Sequence, residues 1–191
     1  MTRIRAITAL VCVSIWAALL LPSQRGIGAE KREAKGVRVG TFDSRAIVVA
    51  YAHSKLFDGY MRPLMEEHKK AKAAGDTKRA AELEAEGEAQ QDLFHKQGFS
   101  TWPVNDMLEH VKDKLAAVAE QAGVDVIVSK WDITYQKPSV EYVDVTDALV
   151  ALFEPKDKLA KERALKTIQD MRSKPPIPLK DLQKMLKEHP H

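Results

Sequence analysis

Cysteine is almost absent from this 191-residue chain: its one thiol, Cys12, lies in an apolar stretch close to the N-terminus. A fold built from the rest of the sequence has no disulfides and must be held by burial, by a metal or by self-association. Aromatic residues make up 6% of the chain against 30% charged residues, so the core that can be buried is small for the length. Histidine is scattered: His53, His68, His95 and His110 show no two-ligand spacing on one face, which leaves the metal route without a donor set. A glycine-rich phosphate loop, a Gly-x-Ser-x-Gly elbow and a Cys/His pairing are all missing. These absences argue against an enzyme and predict no catalytic residue, metal or cofactor. Asp43, Asp125, Asp132, Asp144 and Asp147 could together offer oxygen ligands to a divalent cation, but Asp43, Asp144 and Asp147 are equally explained as helix caps.

Long apolar runs are also missing, with one exception. Ile7 to Leu21 is interrupted only by Thr8 and Ser14, follows Arg3 and Arg5, and leads through Pro22 to Gly28 to a small residue at Ala29. That order of basic, apolar and small residues is the order of a secretory signal. Residues 1–29 are therefore expected to direct export to the periplasm and to be removed, with the mature chain starting near Glu30. The apolar run is short for a membrane span of about 20 residues. Removing Arg3, Arg5 and Arg25 turns the 30 basic and 27 acidic residues of the full chain into 27 of each. A neutral mature chain has no concentrated positive footprint for nucleic acid, and contact with a membrane stays open.

What is present is helix- and strand-forming sequence. After a polar lead over 30–36, "VRVGTF" (Val37–Phe42) alternates as a short strand, and Asp43-Ser44 can cap the helix that follows. Ile47, Val48, Tyr51, Phe57, Tyr60, Met61, Leu64, Met65 and His68 recur at helical spacing, as a helix or helix pair bending near His53-Ser54. Pro63 should kink it or mark a new start. Glu66–Gln97 is rich in Ala, Glu, Lys and Gln, with a thin seam of Ala80, Leu83, Gly87 and Phe94. This describes an arm projecting from a body, interrupted at Gly75-Asp76 and stopped at Gly98. Trp102 beside Pro103 is expected to pack against neighbouring helices.

Met107, Leu108, Val111, Leu115, Val118, Ala119 and Ala122 give the cleanest helical stripe, ending at Gly123. "VDVIVS" and "WDITYQ" then predict a hairpin or two successive strands with Val126 buried, and "DALVALF" a short helix. Leu159, Leu165, Ile168 and Met171 mark one side of a further helix. The stiff "KPPIP" and a final amphipathic piece with Leu179, Leu182, Met185 and Leu186 complete the chain.

The opening "VRVGTFDS", the run "AGVDVIVSK" and the stretch "ITYQKPSVEYVDVTDALVALF" flank the arm on both sides. Over roughly Val37 to Phe153 this arrangement resembles the OmpH/Skp family of periplasmic chaperones. The resemblance implies an α+β fold: a small β-sheet body over 37–53 and 123–153, a projecting, coiled-coil-like helical arm over 54–122, and a helical, Pro-rich tail over 154–191. It implies a homo-oligomer, a trimer, built on body positions Val37, Val39, Val124, Val126, Val128 and Ile133. It further implies ATP-independent capture of unfolded envelope or outer-membrane proteins, for which Met61, Leu64, Met65, Leu83 and Phe94 offer apolar arm surface. The alternative is an envelope adaptor or assembly subunit that meets one folded partner.

The sequence departs from the family in its neutral charge, in extra length at Glu141-Tyr142-Val143 and in the tail. The arm is also uneven, with about forty residues leaving over Leu56–Gln97 and about twenty returning over Pro103–Ala122 at 1.5 Å each. A three-segment bundle folded at Gly75 would balance it. Export is checked by intact mass: protein recovered from a periplasm should begin near Glu30, and a mature pool still carrying residues 1–29 would remove the signal-peptide assignment.

Overall fold

The computed structural model describes residues 36–175, 178, 180, 181 and 184. The chain divides after Lys35 into two units, and only the second, Gly36–His191, is described below. The expected signal over 1–29 and the apolar residues Leu179, Leu182, Met185 and Leu186 lie outside the described residues. The fold is mixed helix and sheet. In chain order its elements are β1 (Val39–Phe42), α1 (Ser44–Ala52), α2 (Lys55–Ala74), α3 (Thr77–Gly98), α4 (Asn105–Glu109), α5 (Lys112–Ala122), β2 (Val126–Ser129), β3 (Tyr142–Asp144), α6 (Thr146–Val150) and α7 (Lys158–Arg172).

The sheet has three strands in the order β2-β1-β3. Both neighbours run parallel to β1, with Val39 opposite Val126 on one side and Tyr142 on the other. Parallel pairing needs long crossovers; five helices supply the first, and residues 130–141 supply the second by passing from one flank of β1 to the other. Gly40 permits the close approach of β2, since a Cβ there would stand 3.0 Å from Val124 Cγ2 and 3.3 Å from the Val126 carbonyl.

The expected hairpin of "VDVIVS" with "WDITYQ" does not form. Residues 131–136 are outside the sheet, which leaves Ile133 half-buried in a connector and Tyr135 on the surface. The cause is local: Ser129 accepts from the Trp131 and Asp132 amides, through its hydroxyl and its carbonyl, and turns the chain aside. The third strand is Tyr142–Asp144, the stretch that looked like extra length. Val37 precedes β1 and is 61% exposed, and Val126 is 41% exposed rather than buried. Val39 and Val128 are half-buried in their strands, while Val124 is buried just ahead of β2.

The helical segment folds back at Gly75, where a left-handed φ of 72° ends α2 and Asp76 caps α3 by accepting from the Arg79 amide. Helices of 20 and 22 residues then pair antiparallel. Arg79 meets Glu67 at 2.7 Å, Lys72 meets Glu84 at 2.8 Å, and Phe57 meets Phe94 with ring centroids 5.0 Å apart. The return leg is thus α3, not Pro103–Ala122. Residues from that expected return, Met107, Val111 and Val118, join the core instead. Pro63 neither breaks α2 nor restarts it. The carbonyl that loses its helical donor belongs to Gly59, which is exposed and open to water.

The core gathers Phe42, Ile47, Tyr51, Val104, Met107 and Leu149 around α1, with Ile168 of α7 against it. Buried Ala160, Ala164 and Ile168 make one stripe of α7 at four-residue spacing. Leu159 and Leu165, expected on the packed side, are exposed; the small alanines let α7 approach α1 closely. Truncation of fully buried Ile47 to Ala is expected to cost about 2–5 kcal/mol in chemical denaturation. Val126→Asp should stay within about 0.5 kcal/mol of wild type at concentrations too low for association, and a loss comparable to Ile47→Ala would place Val126 in the core after all.

Candidate functional site

Two features stand out once the helices are placed. The first is a groove of about 140 Å³ on the α2–α3 hairpin, lined among others by Met61, Leu64, Met65, Leu83 and Gly87. Four of the five expected arm positions therefore converge, in different roles. Leu83 is buried and forms floor; Met61 and Leu64 are half-buried walls, and Met65 is 54% exposed at the rim. Phe94 is elsewhere, in the aromatic cluster with Tyr51 and Phe57 at the base of the hairpin. Gly87, a member of the expected thin seam, keeps the groove open, since a Cβ there would meet nothing within 4 Å. The polar rim is committed: His68 and Lys72 both contact Glu84, and the Tyr60 hydroxyl donates to Glu86.

The second feature is a buried ion cluster at the carboxyl end of the sheet. Asp43 is fully buried. Its carboxylate accepts from Arg45 at 3.0 and 2.8 Å through Nε and Nη2, from Trp131 Nε1 at 3.2 Å, and pairs with Lys130 Nζ at 2.7 Å. It also accepts from the Arg45 amide, as the α1 cap expected from the sequence. Arg45 and Lys130 lie 4.8 and 4.5 Å from the Trp131 ring centroid, adding cation–π contacts to the charge pairs. Burial pushes the Asp43 carboxyl up, but hydrogen bonds and charge from Arg45 and Lys130 outweigh it and hold the pKa at about 2.

The other aspartates do not converge on a common point. Asp125 accepts from the Arg38 amide, Asp144 accepts from the Thr146 amide, and Asp144 and Asp147 each meet Arg172 at 2.6 Å, whereas the N-cap position of α6 is Val145, without a side-chain cap. No group of three His, Cys, Asp or Glu side chains suited to a metal occurs among the described residues. Nor is any described helix long and apolar enough to cross a membrane. Comparison with known proteins finds no family model, curated protein or solved structure that matches the chain.

Sequence spacing could not reveal the Asp43–Lys130 pair, whose members stand far apart in the chain. Only the cap at Asp43 left a local signal. The pH consequence has a definite sign. Because the folded carboxyl titrates below its ordinary value of 3.8, the cluster contributes fully above about pH 5 and is lost as pH falls through about 2. Denaturation curves should show roughly 2 kcal/mol leaving over that window in wild type. Asp43→Asn should lack this component and lose about 3–5 kcal/mol at neutral pH, because Arg45 is left buried without its counter-charge. Identical acid profiles for the two proteins would show the cluster to be energetically idle.

Proposed function

We propose that this chain is an exported, ATP-independent chaperone-like protein of the OmpH/Skp type that holds unfolded envelope or outer-membrane proteins. The single observation that carries this proposal is the open apolar groove of the α2–α3 hairpin. A two-helix pair buries only one stripe, so apolar side chains beside that stripe remain available. Met61 and Met65 suit the task, because an unbranched thioether adapts to many partner shapes. The hairpin would act as the coiled-coil-like arm, and several copies would join through the open edges of the small sheet, where β2 and β3 present unpaired backbone. Val126, exposed on β2, is the body position offered to such a contact.

A second function, an adaptor for one folded partner, is favoured by a different surface. Exposed Leu165 borders a groove of about 300 Å³ between α1, α6 and α7, continuous with buried Phe153. Capture of many unrelated unfolded proteins separates the holdase from an adaptor with one stoichiometric partner.

Gly87→Leu tests the groove without weakening the helix. The substitution fills open space and replaces glycine in a helix interior, worth about 0.5–1 kcal/mol of added stability. Suppression of client aggregation should fall while the melting temperature rises. Met61→Ser with Met65→Ser should reduce suppression similarly, and raising salt to about 0.5 M should change it little, since no excess of one charge sign exists to be screened. Suppression that ignores all three substitutions, or collapses with salt, would overturn the apolar mechanism. Failure to bind any unfolded client would favour the adaptor.

A further inference from the structure

A cavity of about 300 Å³ opens beyond the carboxyl ends of β1 and β2, where Phe42 and Ser129 close the two strands. It is separate from the hairpin groove and independent of the holdase proposal. In open parallel sheets this is where ligands settle, beyond the strand ends at the point where strand order reverses. Here β1 is that point, since the chain adds β2 on one flank and β3 on the other. The wall carries a backbone feature found at few non-glycine positions: Ser100 has a φ of 60° and is held there by the Ser44 hydroxyl, which donates to Ser100 Oγ at 3.1 Å.

Trp102 borders the mouth and is 56% exposed, contrary to the expectation that it packs against helices. The side chains of Asn105 and Asp132 line the same cavity and have no hydrogen-bond or ion-pair partner among the described residues. Ser100 Oγ accepts from Ser44, and Ser129 Oγ accepts from the Trp131 amide, so each hydroxyl retains its own proton to donate. No cation lines the space, and Arg45 and Lys130, which adjoin the lining residues Ser44 and Ser129 in the chain, are engaged by Asp43.

We propose that this cavity binds one uncharged sugar ring, as found in a glycan. The chemistry follows from the lining. A carboxylate, a carboxamide and two hydroxyls with no cation among them match vicinal hydroxyl groups and repel a phosphate or carboxylate ligand. The exposed indole offers its negative π-face to the positively polarised C–H face of a pyranose. Apolar floor at Ile127 and Leu149 receives the remaining ring edge. The volume holds roughly ten water-sized groups at about 30 Å³ each, the scale of a single ring with its substituents.

The test is saturation-transfer NMR on the full-length protein with methyl β-glucoside, N-acetylglucosamine and, as a cationic probe, choline. Transfer to at least one sugar is expected, with a dissociation constant on the order of 1 mM for so small a ligand. Trp102→Ala and Asp132→Ala should each weaken it by about tenfold or more without altering circular dichroism, and Trp102→Phe should restore much of the loss. Three results would overturn the proposal: no transfer to either sugar, transfer that survives Trp102→Ala, or choline binding more tightly than both sugars. The last would make the tryptophan and carboxylate a cation site. Because both substituted residues are exposed, misfolding does not confuse the outcome, and a failed client-holding assay would leave this result unaffected.

Discussion

The fold depends on a carboxylate with no access to water. Asp43 sits at the junction of four segments: it ends β1, caps α1, receives Lys130 and Trp131 from beyond β2, and donates its amide to Thr146 Oγ1 at the start of α6. A sheet of strands three and four residues long, open at both edges, has few backbone bonds of its own. Side chains supply what the ladder lacks. At the opposite end of β1, Arg38 performs the matching task. Its amide donates to Asp125, and its guanidinium reaches the Gly123 carbonyl at 2.6 Å and Glu141 at 2.5 Å. Each edge strand is thereby fixed near both of its ends in a chain without disulfides. The two fixings differ in strength. Asp43 is dry, whereas Glu141 is well exposed and its pair with Arg38 is screened by water.

The hairpin obeys a different constraint. Gly75 is the only described glycine besides Gly123 with a left-handed φ, and it sets the length of α2. Because α3, at 22 residues, slightly outlasts the 20 of α2, the chain returns to α1, where Tyr51, Phe57 and Phe94 form a mutual cluster with Phe153. Away from that base, Ala71, Ala80 and Leu83 are the buried apolar residues of the pair. So narrow a seam leaves neighbouring methionines without a helix to cover them.

Local chemistry was legible in the sequence, and pairing was not. Asp43, Asp76, Gly75 and Gly123 were readable because caps and left-handed stops act within a turn of where they stand. The α+β composition followed from alternation, as did two strands expected over Val37–Phe42 and Val124–Ser129, each of which starts two residues later, at Val39 and Val126. Alternation also suggested "WDITYQ", and failed there because it cannot see Ser129 turning the chain or Asp43 drawing in Trp131. Tyr142–Asp144 was passed over because three residues carry almost no period. On α7 the expectation held for Ile168 and Met171, which meet the core, and failed for Leu159 and Leu165 for a related reason: leucines draw attention, whereas Ala160 and Ala164 reveal their importance only when α1 is beside them. Of the groove, its methionines were legible; the space that Gly87 leaves was not, because absence of a side chain means something only once the partner helix is known.

The dimensions of the groove bear on why self-association would matter. At about 140 Å³ it is close to the roughly 150 Å³ apolar cavity known to hold a benzene ring, so one hairpin can grip one ring-sized side chain. Such a contact is weak by itself, and the paired charges around it, Glu84 with Lys72 and Glu67 with Arg79, leave little field to steer a client inward. Useful holding then requires several grooves acting on one unfolded chain. Joining copies through a short, firmly fixed sheet, as proposed above, would supply this, because each further contact would form at the effective concentration set by the first. Under the proposed holding function, avidity would replace charge as the source of affinity, and release would need no nucleotide because each single contact would open readily.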